Sequence, residues 1–349
     1  MRLKTPAISF SLAALALCAG SPVAQQNDAP IRNRTIGAPE RSDPPAPPPV
    51  GTWTAISPSR GWTPGPAMPT PRFGASAQEI GGMLYVVGGM NSNTDRYLGT
   101  LEIFDPATGA WTTGEPMPTA RSGAASGVIG GRLYVAGGFD GSRGAHLAKL
   151  ERYDPGNNTW TTAEPMPTPR SGAACGVIDG KLYVVGGWDG ESGISTMEIY
   201  DPATNTWTVG PRMPTPRRHA AAAVVGGKLY VTGGGFGNLI INRVEVFDPA
   251  TNSWSTGPLM PTPRMGHAAV AMGSNLMVVG GQRGGDVGVN SVDIYSPQSD
   301  EWTSGTAMQT ARLGLGAAVV GGKLYAVGGA DGSQTLNVVE IYSTRTAGK

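Results

Sequence analysis

Residues 160–211 read WTTAEPMPTPRSGAACGVIDGKLYVVGGWDGESGISTMEIYDPATNTWTVGP, and this stretch decides the fold. It holds four short runs of β-forming or small apolar residues, at 172–177, 182–185, 197–200 and 205–208. The breaks between and after them include Gly186-Gly187, Asp201-Pro202 and Gly210-Pro211, dipeptides that turn the chain rather than extend it. Runs of this length between such turns predict antiparallel strands, and no segment shows a sustained helical period.

Working outward, the same order of residues recurs six times. A tryptophan stands at Trp62, Trp111, Trp160, Trp207, Trp254 and Trp302, at intervals of 49, 49, 47, 47 and 48. Six residues after each comes a Met, and four further an Arg: Arg72, Arg121, Arg170, Arg217, Arg264, Arg312. Sixteen residues after each Arg a Gly-Gly pair begins, and beyond it stands an acid: Glu102, Glu151, Glu198, Glu245, Asp293, Glu340. Four strands repeated at a period of roughly 48 residues are the signature of propeller blades, longer than the WD type.

The combined pattern resembles the kelch repeat: paired glycines after a Leu-Tyr-Val-Val strand, an aromatic two residues past the acid, and the downstream Trp. The resemblance covers residues 60–345. It departs at Gln309 (for Pro), Leu276-Met277 (for Leu-Tyr), Ser296 and Ser343 (for Asp), and Arg217-Arg218-His219-Ala220, which lacks the glycine after its Arg pair. It implies an all-β fold, a six-bladed β-propeller of four-stranded antiparallel blades, over residues 52–349. The last unit ends without a Trp strand, while the Trp62 strand has no companions before it. The Trp62 strand is therefore expected to join the last blade and close the ring, which removes an exposed edge.

Residues 1–24 read as a secretory signal peptide: Arg2 and Lys4, an apolar stretch at 6–19 too short to span a bilayer, then small residues. Residues 25–51, ending in Pro44-Pro45-Ala46-Pro47-Pro48-Pro49, read as a disordered Pro-rich linker. The expectation is an exported protein, periplasmic, secreted or at the cell surface, with no transmembrane segment. Leu17 before Cys18 departs from a lipoprotein box and speaks against a lipid anchor. Lys+Arg 26 against Asp+Glu 25 excludes the basic surplus of a general nucleic-acid binder. Two cysteines and three histidines leave little for a metal centre, and no metal, cofactor or catalytic set is expected. The run at 233–237 is glycine-rich but lacks the Gly-Lys-Ser/Thr ending and the helix of a phosphate loop.

Every spacing in the repeat is constant except that from Gly-Gly to acid, which runs 14, 14, 12, 12, 13 and 12. Length variation therefore lies between the second and third strands. By strand alternation, that loop shares a face with the connection between blades, where the arginines stand. Loops that tolerate insertion lie at the surface and often carry function. The candidate ligand set is accordingly Arg72, Arg121, Ser122, Arg170, Ser171, Arg217, Arg218, Arg264 and Arg312, with the loop aromatics Phe139, Trp188 and Phe236. Arginine suits an anion because its planar fork donates paired hydrogen bonds, and kelch domains that bind acidic peptides resemble this with Arg and Ser here. The opposing reading is structural: each Arg pairs with the acid of a blade. The periodic tryptophans are expected in the core between blades. Cys175 is expected to be a small buried residue and His146 to be solvated, while His219 and His267 stand where they could face a shared ligand.

The functional expectation is a monomeric, non-enzymatic binding module taking a protein, peptide or anionic carbohydrate on its loop face. The alternative is a carbohydrate-active enzyme, which would resemble the kelch-type sialic-acid mutarotases. A copper radical oxidase, a third class that uses this repeat, would need flanking domains that do not fit in 349 residues.

Overall fold

The computed structural model describes residues 61–285 and 287–344; the expected signal peptide and linker lie outside them. Among the described residues all regular structure is β: six four-stranded antiparallel sheets arranged as a propeller, with three two-stranded ribbons in loops between second and third strands. Blade one is Ser76–Ile80, Met83–Val87, Leu101–Asp105 and Ala110–Gly114, from the axis outward. Blades two to five repeat this order, their inner strands being Ala125–Ile129, Ala174–Ile178, Ala221–Val225 and Ala268–Met272. The sixth blade draws on both ends of the described chain. Gly316–Val320, Lys323–Val327 and Val339–Ser343 are joined at the outside by Gly61–Pro64, with Trp62 opposite Tyr342.

The core lies between blades rather than within any one. Leu84, Val86 and Phe104 of blade one, for example, pack with Ala318, Val320, Tyr325 and Val327 of blade six. Five further clusters bridge the other blade pairs. The Leu of each Leu-Tyr or Leu-Met pair is fully buried in all six blades, which favours the folded state by about 1.5–3 kcal/mol per side chain.

Two rings of hydrogen bonds run around the axis. At the inner end, backbone N–H donates to backbone O from Gly74 to Gly314, Gly314 to Gly266, Gly266 to His219, His219 to Gly172, Gly172 to Gly123, and Gly123 back to Gly74, at 2.7–2.9 Å. All six residues have positive φ, which glycine adopts freely and His219 (φ 51°) adopts under strain. At the outer end each periodic Trp donates its indole N–H to a carbonyl of the preceding blade: Trp111 to Pro66, Trp160 to Glu115, Trp207 to Glu164, Trp254 to Pro211, Trp302 to Pro258 and Trp62 to Thr306. All six pack against the clusters between blades, as expected, at their outer margin. Trp62 is buried, but the other five are half-buried, spanning the blade seam with one edge in solvent.

Removing residues 52–66 takes away the outer strand of blade six and the Trp62–Thr306 bond, exposing the edge of Val339–Ser343. The truncated protein should melt well below the full-length chain in calorimetry. An unchanged melting temperature would show that the strand contributes nothing to the ring.

Candidate functional site

The six periodic arginines are among the most enclosed side chains of the molecule. Each is at most 1% exposed and pairs with the acid of its own blade: Arg72–Glu102 at 2.9 Å, Arg121–Glu151 at 3.0 Å, Arg170–Glu198 at 2.6 Å, Arg264–Asp293 at 2.5 Å, Arg312–Glu340 at 2.8 Å, and Arg217–Glu245. Each also donates to at least one backbone carbonyl. Arg170 Nη1, for instance, donates to Gly186 O and Thr196 O at 3.1 and 2.9 Å. Burial pulls each guanidinium below its ordinary value and the facing carboxylate pulls it back up. The arginine backbone reaches the other way: Arg170 O accepts from Gly138 N of the preceding blade at 2.8 Å. There the chains pass so closely that a Cβ on Gly137 would lie 2.5 Å from Arg170 O, which is why the glycines are paired.

Arg72, Arg121, Arg170, Arg217, Arg264 and Arg312 therefore leave the candidate ligand set. They point into the blade, not toward the rim, where the buried acid and carbonyls at the ends of the second and third strands hold each guanidinium. The ligand reading of these six is corrected in favour of the structural one.

The rim is built instead by the residue after each arginine, which pairs with the residue after the glycine pair. The six bridges are Phe73–Met90, Ser122–Phe139, Ser171–Trp188, Arg218–Gly235, Met265–Gln282 and Leu313–Ala330. Blades six and one fill their part of the rim with a buried apolar cluster, Phe73, Met90 and Ala330 with Tyr97 against it. Blades two to four carry the polar chemistry. Ser122, Phe139 and Trp188 stay partly exposed here, and Ser171 is buried.

Arg218 stands at the centre of this polar sector. Its stem lies over Gly235, which has no side chain to displace it, and its guanidinium sits 4.7 Å from the centroid of Trp188, a cation–π contact. Arg218 is 8% exposed, yet among the described residues no carboxylate pairs with it and no acceptor takes its protons. Its nitrogens are not among the fully buried unpartnered atoms, so the guanidinium reaches solvent at the rim, where an anion from solution can meet it. His146, expected in solvent, is packed instead between Phe139 (ring centroids 5.0 Å apart) and Ser171, its Nδ1 3.1 Å from Ser171 Oγ. Burial lowers its pKa, against the pull of Asp189. Sequence reasoning missed His146; the signal was its place in a variable loop beside Phe139.

Neighbouring loops interlock around part of the rim. Thr335 of blade six bonds Ser92 and Asn93, the Tyr97 ring covers Gly141, and His146 packs against Gly190. The series stops after blade three. In blade four Phe236 is 44% and Leu239 66% exposed, so Phe236 stands at the outer edge of the sector rather than beside Trp188.

The other two histidines serve different surroundings. His267 is buried against Thr232 Oγ1 at 2.9 Å and does not face the rim. Its expected share in a common ligand site is corrected: it fills the space between blades four and five. His219 belongs to the axial ring, its imidazole over Gly172. Below the ring, the inner strands line a channel of about 310 Å³ with Gln78, Ser126, Cys175, Ala222, Ala269 and Ala317. Cys175 bonds Ser126 O, and burial raises its thiol to about 11, so it is no reactive thiolate. Among the described residues no group of three or more His, Cys, Asp or Glu could hold a metal, and no helix is long and apolar enough to cross a membrane.

A family model described as the KLHDC2/KLHL20/DRC7 Kelch-repeats domain matches residues 74–281. The Kelch motif matches residues 263–309 and 311–347. Among solved structures the chain is similar to one titled "Structure of YjhT", at 18% identity and a TM-score of 0.71, over 81% of this chain and 98% of that one. That likeness shows the shared fold. No curated protein sequence matches the chain.

Two outcomes follow from this geometry. Arg170→Met leaves Glu198 buried without its counter-charge and should cost about 3–5 kcal/mol in urea denaturation. Arg170→Met with Glu198→Gln should cost less, and a single variant as stable as wild type would sink the structural assignment. The second outcome concerns pH. Burial, then Arg218 and His146, holds His219 down at about 4; burial, then Arg264 and Arg217, holds His267 at about 3; the ordinary value is 6.5. Between these values the unfolded chain binds more protons than the folded one. Their contribution is thus complete above pH 6.5 and is lost as pH falls below it. His219→Gly/His267→Leu takes glycine from the other blades and leucine from Leu315 of blade six. It should flatten the acid side of the stability profile, whereas a loss equal to wild type would place the sensitivity elsewhere.

Proposed function

The chain belongs to the Kelch-repeat propeller family, and on that premise we propose that it is an exported, non-enzymatic binding module that takes an anionic ligand on the blade two to four sector of its rim. Arg218 carries the reading: a guanidinium at the rim, already oriented by Trp188, with no carboxylate paired to it among the described residues. Ser122, part-exposed in blade two, offers a hydroxyl on the same sector, and Trp188 and Phe139 offer ring faces suited to a sugar or an apolar side chain. The ligand class is an acidic peptide or a carboxylated carbohydrate. Preorganisation supports the assignment, since Trp188 removes much of the rotamer freedom that binding would otherwise have to quench.

A second reading is a carbohydrate-active enzyme similar to the kelch-type sialic-acid mutarotases. His146 favours it, as a neutral imidazole beside a hydroxyl, with Asp189 near and a guanidinium to hold a carboxylate.

The test is a thermal-shift series of the mature domain with sialic acid, uronates and acidic peptides. A ligand at 100 times its dissociation constant stabilises by about 2.7 kcal/mol. Arg218→Ala and Trp188→Ala should abolish the shift, while Lys323→Ala on the opposite face should keep it. A shift that survives Arg218→Ala, or none with any anion, overturns the reading. Mutarotation of sialic acid by wild type would decide for the enzyme.

A further inference from the structure

The polar sector holds two imidazoles as well as a guanidinium, and they converge on one dipeptide. His146, from blade two, meets Ser171 through Nδ1. His219, from blade four, covers Gly172 so closely that a Cβ there would lie 2.6 Å from its Nδ1. Ser171 in turn exchanges two backbone hydrogen bonds with Trp188, at 3.0 and 2.8 Å, and Trp188 carries Arg218. Ser171-Gly172 is thus flanked from both neighbouring blades by groups that are, or can become, cations.

Few other charges face them. Asp189, on the loop of blade three, faces His146, but its Oδ1 accepts from the backbone N–H of Glu191 and Ser192. On the hairpin of His146 itself, Asp140 is engaged by Ser142 and by Arg143. His219 faces Arg218 and His146, both of which oppose its protonation. With the rim empty, positive charge accumulates here faster than negative charge can balance it.

Resting on the anion-binding reading of this rim, we propose that ligand binding is coupled to proton uptake: the anion and protons on His146 and His219 bind cooperatively. An anion on Arg218 replaces repulsion by attraction at both imidazoles, so each becomes a better base while the site is filled. By reciprocity each proton tightens the anion to the same degree. Arg218 keeps its charge throughout, so it holds the anion at any pH and the histidines set how firmly.

The test is isothermal titration calorimetry with sulfate and with N-acetylneuraminic acid, whose charges do not change between pH 8 and 5.5. Affinity should rise about tenfold toward the lower pH, with a binding heat that varies with the ionisation heat of the buffer. His146→Gln and His219→Asn should each flatten the rise. Equal affinity at the two pH values would overturn the coupling and leave the anion site standing. No binding of either probe at either pH would overturn both. Histidine NMR titration of wild type guards against a misfolded variant. The midpoints of His146 and His219 should move up when sulfate is added, and unmoved midpoints overturn the coupling.

Discussion

One ion pair per blade organises this molecule. Each periodic arginine is buried against an acid of its own blade, donates to at least one backbone carbonyl of that blade, and lends its carbonyl to the blade before. A charge so enclosed tolerates little change in distance, because its partner must stay within bonding reach. That is the physical reason behind the constant spacings. Arg to Gly-Gly is sixteen residues in every unit: in five blades the guanidinium meets the first glycine's carbonyl, in blade two that of Val135 just before it, and the glycines must let the next arginine's backbone pass. Where the chain loops away from this cage, between the second and third strands, length is free to vary, and there it does.

The frame is therefore sixfold and the function is not. Five of the six axial ring positions are glycine and one is His219; Arg218 replaces the Ser122 and Ser171 of the two preceding blades; Gly235 replaces the Trp188 of blade three. These three departures are coupled. The missing side chain at 235 makes room for the stem of Arg218, and Trp188 receives its head. A ligand site on such a propeller is found by subtracting the repeat from the sequence and asking which remainders touch.

Most of the fold was legible in this way. The blade count, the strand order and the shared face of loops and connections follow from spacing, because spacing reports which positions are equivalent. It does not report where an equivalent position points. The arginines recur at the connection between blades, so rim and interior were both open to them, and only the three-dimensional path of the side chain decides. The tryptophans fared similarly: recurrence marked them as structural, yet nothing in a linear pattern distinguishes a core residue from one that bridges a seam with its edge in water. His146 was illegible for another reason. Its neighbours, Ser171 and Gly190, come from the next blade, and no local pattern encodes a contact across that gap.

The sixth blade has a consequence for how the molecule is presented. Gly61 and Ser343 pair with one another, and Ser343 also pairs with Lys323, beside the turn between the first two strands. The chain thus enters its outermost strand on the face of the short turns, and the polar sector crowns the other. Gly61, the first described residue, therefore lies on the face away from the polar sector. The order in which the strands are threaded sets the entry to the outermost strand and the polar sector on opposite faces, so the two do not compete for the same space.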